Sequence, residues 1–147
     1  MKRANPKERS DYRHFDQMET RWNDNDIYGH MNNVVYYEIF DSVINRYLVK
    51  KGKLNITSGP VAAIIPETRC LYHKPLRFPE TLDIGLRVSR LGNSSVVYDS
   101  SIFRCNENTA AAECHFVHVF VDRTQQDRPL TIPKTVREAL EKILITN

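Results

Sequence analysis

Cysteine is scarce in this chain. There are three, Cys70, Cys105 and Cys114, an odd number with no CxxC spacing. That argues against a disulfide framework and a zinc knuckle, and it points to reduced thiols in a cytoplasmic protein. Phosphate cradles are missing too: neither GxGxxG nor GK followed by Ser or Thr occurs. There is no block of basic residues with interleaved aromatics, and the net charge is only +3. A nucleic-acid partner is therefore not expected, whereas a small anionic substrate is compatible. No apolar run approaches the ~20 residues of a membrane span. The opening MKRANPKERSDYRHF lacks the apolar stretch of a secretory signal. Internal repeats, low-complexity segments and composition breaks are also absent. What remains is a chain of 147 residues, read as a single domain over 1–147 and long enough to bury a core. Its charged and polar residues 1–11 are expected to be loose.

The apolar pattern alternates over residues 12–22, with Phe15 and Met18 out of phase, and this predicts a first strand. From Asn33 to about Lys51 the period becomes helical. Tyr36, Phe40, Val43 and Tyr47 recur at helical spacing, and Val35, Ile39, Ile44 and Leu48 broaden the stripe enough to demand a buried helix. Gly52 is expected to cap its end. VAAIIPETRCLYHKP reads as a strand bulged at Pro66. TLDIGLRVSRL alternates strictly, with Leu82, Ile84, Leu86 and Val88 on one face. Gly92-Asn93 signals a hairpin into SSVVYDSSIFRC, and NEN marks the turn into TAAAECHFVHVFVD. A short terminal helix is expected, with Thr131 as its cap and Pro133 in its first turn. One long helix that is apolar on most sides needs a sheet around it, so the fold class is α+β rather than alternating βαβ. A sheet covered on one side only needs further cover. The TLDIGLRV strand and the long last strand are expected to help continue it across a two-fold axis.

The stretch RWNDNDIYGHMNNVVYYEIFDSV, residues 21–43, concentrates polar residues where the helix begins. A helix N-terminus offers free backbone N–H groups and a favourable dipole, so chemistry on an anion is easily built there. Taken alone, Asp24 reads as a turn or capping residue, and Asn32 and Asn33 as the helix cap. His115 and His118 lie three apart on a strand, hence on opposite faces, which argues against a shared ligand role. No Cys or His spacing completes a metal shell around Asp24, Asp26 and His30.

DNDIYGHMNNVVYYEIFDSV followed by YHKPLRFPETLDIGLRV resembles the hot-dog fold acyl-CoA thioesterases of the 4-hydroxybenzoyl-CoA thioesterase type, from about residue 14 to 140. The resemblance implies a long central helix wrapped by a curved antiparallel sheet, pairing of protomers into a homodimer or homotetramer, and active sites between protomers. Asp26 falls on the family's catalytic aspartate and Gly29 on the glycine of the turn into the helix. His30 falls on a histidine implicated in catalysis in plant acyl-carrier-protein thioesterases. Two departures stand out. Asn33 occupies the place of a histidine in some bacterial members, and Tyr28 that of an asparagine in the plant enzymes. Arg87 and Arg90 are all that remains of a basic cluster for the coenzyme A nucleotide.

The resemblance thus implies a thioesterase acting on an acyl-CoA or acyl-carrier-protein thioester. Asp26 would be nucleophile or general base, His30 its assistant, and the 29–33 backbone the oxyanion site. Gly29 would allow close approach, Tyr28, Asn33, Tyr36 and Arg90 would contact substrate, and no cofactor or metal is expected beyond the coenzyme A of the substrate itself. The positive end of the helix should keep Asp26 ionised. The alternatives are an acyl-thioester hydratase or dehydratase, which usually spaces its Asp and His differently, and a non-enzymatic acyl-CoA-binding domain.

Overall fold

The computed structural model describes residues 5–145. In chain order it has β1 (His14–Glu19), α1 (Asn33–Lys50), β2 (Val61–Tyr72), β3 (Thr81–Leu91), β4 (Ser95–Arg104), β5 (Ala112–Asp122) and α2 (Lys134–Glu141), with short 3-10 turns at Arg9–Asp11 and Trp22–Asp24. The strands form one antiparallel sheet in the order β1-β3-β4-β5-β2. Alternation decides its inner face. Leu82, Ile84, Leu86 and Val88 of β3, Val96, Tyr98 and Ile102 of β4, and Phe116 and Phe120 of β5 are buried in one core with α1. α1 contributes Tyr36, Ile39, Phe40, Val43, Ile44, Tyr47 and Leu48. Burying each large apolar side chain contributes ~1.5–3 kcal/mol relative to exposure, so this contact is the main source of stability. The result is the α+β hot-dog arrangement of a long helix against an antiparallel sheet.

The ends of α1 show local chemistry at work. Asn32, not Asn33, is the cap: its Oδ1 accepts from Val34 N at 2.9 Å. At the other end Gly52 does not take the left-handed conformation expected of a capping glycine; Lys53 does, at φ 57°. A Cβ on Gly52 would lie 2.7 Å from Leu48 O and 3.4 Å from Val136. Glycine is favoured there because a Cβ would run into the Leu48 carbonyl in the last turn of α1, not for the dihedral. α2 also begins later than expected. Ile132 is buried and its amide donates to Asn93 O at 2.9 Å, which holds the chain extended through Pro133. Pro133 is therefore the N-cap, and Thr131 caps nothing.

β1 is shorter than residues 12–22. Thr20 N donates to Glu80 O at 2.9 Å, and the chain then turns where the Asp24 carboxylate accepts from Arg21 N at 2.7 Å. Phe15 is out of phase for a reason. It faces the outer side of the sheet, where Tyr12, Phe103 and Ala110 form a second, small cluster. Residues 7–11 are held there rather than loose. Arg9 pairs with Asp83 at 2.9 Å and donates to Arg104 O at 2.8 Å; Lys7 pairs with Glu113 at 2.8 Å. Residues 1–4 lie outside the described residues.

β2 shifts register between Ile64 and Glu67, as Pro66 requires. β3 and β5 have neighbours on both sides, so neither can continue the sheet into another protomer. The free edges belong to β1 and β2. Among the described residues no helix is long and apolar enough to cross a membrane.

Candidate active site

The segment between β1 and α1 is tied down at both ends. Asp24 is buried. Its carboxylate accepts from the amide and guanidinium of Arg21, and its carbonyl accepts from Asn32 N at 2.9 Å. Asn25 Oδ1 accepts from Phe78 N at 3.0 Å. Met31 N donates to Leu76 O at 2.7 Å. Between these anchors the chain loops out over 26–30, closed by Asp26 N donating to His30 O at 2.8 Å and Gly29 N to Asp26 O at 3.1 Å. Gly29 has φ 79°, which an L side chain rarely adopts, and a Cβ there would meet nothing within 4 Å. Its glycine is required by the turn, not by crowding.

The Asp26 side chain is half-buried. Tyr28 N donates to its Oδ1 at 2.8 Å, and its Oδ2 accepts no hydrogen bond among the described residues. It lines a cleft of about 380 Å³ together with Tyr28, His30, Asn33 and Tyr36 from the same segment and the head of α1; Tyr72, His73 and Lys74 line the opposite wall. Tyr28 is 79% exposed and stands at the rim. The Tyr36 ring is buried edge-on against Tyr72 at 4.9 Å, and Leu76 N donates to its hydroxyl at 3.3 Å. Burial raises both phenols above their ordinary range, so they remain neutral hydrogen-bonding groups.

Only part of the 29–33 backbone is free to serve the oxyanion role expected of it. The amides of Gly29, Met31 and Asn32 are already bonded to Asp26 O, Leu76 O and Asp24 O. Those of His30 and Asn33 find no acceptor among the described residues, and Asn33 is the first residue of α1. Arg90 is not in this cleft. β3 enters the site end at Thr81, opposite Glu19 of β1, and Arg90 stands exposed at the far end of that strand. Within one protomer, then, Asp26, Tyr28, His30, Asn33 and Tyr36 come together and Arg90 does not.

Tyr72, His73 and Lys74 did not emerge from the sequence, although YHKP between a strand and a proline is a polar break that could have flagged them. The His73 ring is nearly enclosed. Its Nε2 lies 2.5 Å from Glu113 Oε2, and Glu113 pairs through Oε1 with Lys7 at 2.8 Å. Burial alone would raise the Glu113 carboxyl; its bonds to Lys7 and His73 outweigh that and hold it below its ordinary value. Lys74 Nζ donates to Glu107 at 2.8 Å and to Thr109 at 3.0 Å. His115 and His118 are indeed on opposite faces: His115 reaches Glu67 at 3.1 Å, while His118 is buried under the helix.

Known proteins share this architecture. The chain is 45% identical to the PA5185 protein of Pseudomonas aeruginosa, with a TM-score of 0.92 over 96% of this chain and 97% of that one. It also superposes on Slr0204, a 1,4-dihydroxy-2-naphthoyl-CoA thioesterase from Synechocystis. There the TM-score is 0.78 at 14% identity over 88% of this chain and 96% of that one, a likeness of fold. The YsmA protein of Bacillus subtilis is 28% identical over 82 residues; the match spans 56% of this chain and about half, 55%, of YsmA. The model of the thioesterase-like superfamily matches residues 20–140, a span that runs from the end of β1 into α2 and holds the whole cleft, and the chain belongs to that superfamily.

Proposed function

We propose that the protein hydrolyses an acyl thioester of coenzyme A or of an acyl-carrier protein to the free acid and thiol. The observation that supports this reading is that one cleft is lined by a carboxylate with a free oxygen and by two residues whose amides find no acceptor among the described residues, His30 in the turn and Asn33 at the helix head. A thioester carbonyl seated between them would present its carbon to Asp26 and its oxygen to the His30 and Asn33 N–H groups. One such donor can lower the barrier by ~3–4 kcal/mol. Asp26 then acts either as nucleophile, forming a mixed anhydride, or as base for the attacking water. His30 assists from the rim, and Tyr28, Asn33 and Tyr36 hold the substrate. Gly29 contributes the turn rather than an amide. Neither metal nor cofactor is required beyond the coenzyme A of the substrate, and the working form is a cytoplasmic homodimer or homotetramer.

The test is a panel of aliphatic and aromatic acyl-CoA and acyl-carrier-protein thioesters, read by release of free thiol. Turnover of at least one member, well above its rate in buffer, is expected. Tight binding of acyl-CoA with no thiol release would favour a binding domain instead.

A further inference from the structure

His73 pairs two features on one side chain: a place on the cleft wall and a buried carboxylate partner. It belongs to the wall opposite Asp26 and lines the same cleft. One ring nitrogen, Nε2, is committed to Glu113, which is not among the residues lining the cleft. The other, Nδ1, has no partner among the described residues. The side chains of His73 and Glu113 are 8% and 9% exposed, so the pair is shielded. Glu113 is fixed in turn by Lys7, whose Nζ is 2.8 Å from Oε1 and whose amide donates to Oε2 at 3.3 Å. A buried carboxylate gripping one imidazole nitrogen sets the tautomer and ring angle, and here the second nitrogen is left without a protein partner among the described residues.

We propose that His73 is a catalytic residue, the proton donor to the departing sulfur, and that Glu113 is its positioning residue. This rests on the thioesterase reading above. When the C–S bond breaks, the electron pair stays on sulfur and the proton of Nδ1 joins it. The neutral imidazole recovers a proton from the water that hydrolysis consumes, directly or through solvent, so atoms and charge balance whether Asp26 attacks carbon or activates water. The titratable groups around His73 are Glu113 on β5, Lys7 on the N-terminal arm, neighbouring Tyr72 and Lys74, Tyr36 on α1, and Asp26 and His30 across the cleft. Lys74 is engaged by Glu107, and Lys7 shares its charge with Glu113. Glu113 is therefore the anion in direct contact with the His73 ring.

The experiment compares wild type with His73→Gln and Glu113→Gln on two thioesters of the same acyl group, one with an alkyl thiol and one with a more acidic aryl thiol. On the alkyl thioester His73→Gln should lower kcat by ~100-fold, the low end for positioned acid–base groups, with less change in KM. On the aryl thioester, whose sulfur needs little protonation, the deficit should contract by about tenfold or more, since the donor's contribution follows leaving-group basicity. Glu113→Gln should move the alkaline limb of the kcat/KM profile to lower pH. Equal deficits on both leaving groups, or near wild-type turnover of His73→Gln, overturns the proposal and leaves the thioesterase reading standing. An unmoved alkaline limb overturns the role of Glu113. A wild-type protein inactive on every thioester overturns that reading and this assignment together. Should His73→Gln fail to fold, the ring ¹⁵N resonances of wild type decide: free coenzyme A, the thiol product, must shift Nδ1 of His73, and an unshifted Nδ1 overturns the assignment.

Discussion

Asp24 and Asp26 stand two residues apart in opposite surroundings. Asp24 is 3% exposed and both its oxygens are taken by Arg21; Asp26 keeps a free oxygen in the cleft. Asp26→Asn retains the bond from Tyr28 N, so the turn should persist while turnover falls ~100-fold or more, as expected for loss of a positioned base. Steady-state kinetics beside a thermal melt checks both halves. Asp24→Asn should do the reverse, costing about 1 kcal/mol or more through its buried hydrogen bonds with a smaller kinetic effect. A third residue sets the response to acid. His118 is 1% exposed, packed at 5.0 Å against Tyr98, with no partner for Nδ1. Burial pushes its pKa down to about 4, against ~6.5 in the unfolded chain. Between those values the unfolded state binds more protons, so stability is full above pH ~6.5 and is lost as pH falls toward 4, by on the order of 3 kcal/mol. Denaturant titrations at pH 7 and pH 4.5 should show that loss, and a His118→Phe variant should lack most of it.

Whole elements are placed by contacts that sequence pattern does not encode. α1 and β3 were legible because their buried apolar side chains answer to one core, with a period of 3.6 or 2. Asp26 and its turn were legible because the polar cluster interrupts that period at a helix start. The N-terminal arm was not, since its anchors are Arg9, Lys7 and Tyr12, and each finds its partner about seventy or more residues away, beyond any local period. His73 was missed for the same reason: only pairing of β2 with β5 brings it to Glu113. The arm's seat is testable at Gly85. The Tyr12 ring lies flat enough on this residue that a Cβ would come within 2.6 Å of it, and the Tyr12 hydroxyl is 2.5 Å from Ser101 Oγ. Gly85→Ala should therefore displace the ring and destabilise by ~1–3 kcal/mol through overpacking. Faster tryptic cleavage at Lys7, Arg9 and Arg13, with the remaining core still resistant, is the expected signature. Cleavage at the wild-type rate would mean that Tyr12 does not hold the arm.

At the scale of the molecule, the sheet ends in an edge that invites a partner. β2 is twelve residues long and paired on one side only. Ile65 and Leu71 on it are 42% and 45% exposed, and across from Ile65 Val34 at the head of α1 is 70% exposed. Between α1 and β2 runs an apolar groove of about 440 Å³ whose lining includes Val34, Tyr37, Ile65 and Phe116. A long, apolar, unpaired edge is a liability unless something covers it. Pro66 offers only a local interruption, because it removes one N–H and leaves the rest of the ladder open. A second copy related by a two-fold axis would pair β2 with β2 and bury the groove symmetrically. Light scattering at micromolar protein should give at least twice the 17.1 kDa mass of the chain. Ile65→Lys, which puts a charge on the edge without touching the buried core, should shift that mass toward the monomer and lower turnover with it. A wild-type monomer under those conditions would sink the β2 pairing. A monomeric Ile65→Lys protein with full turnover would show instead that each cleft works alone.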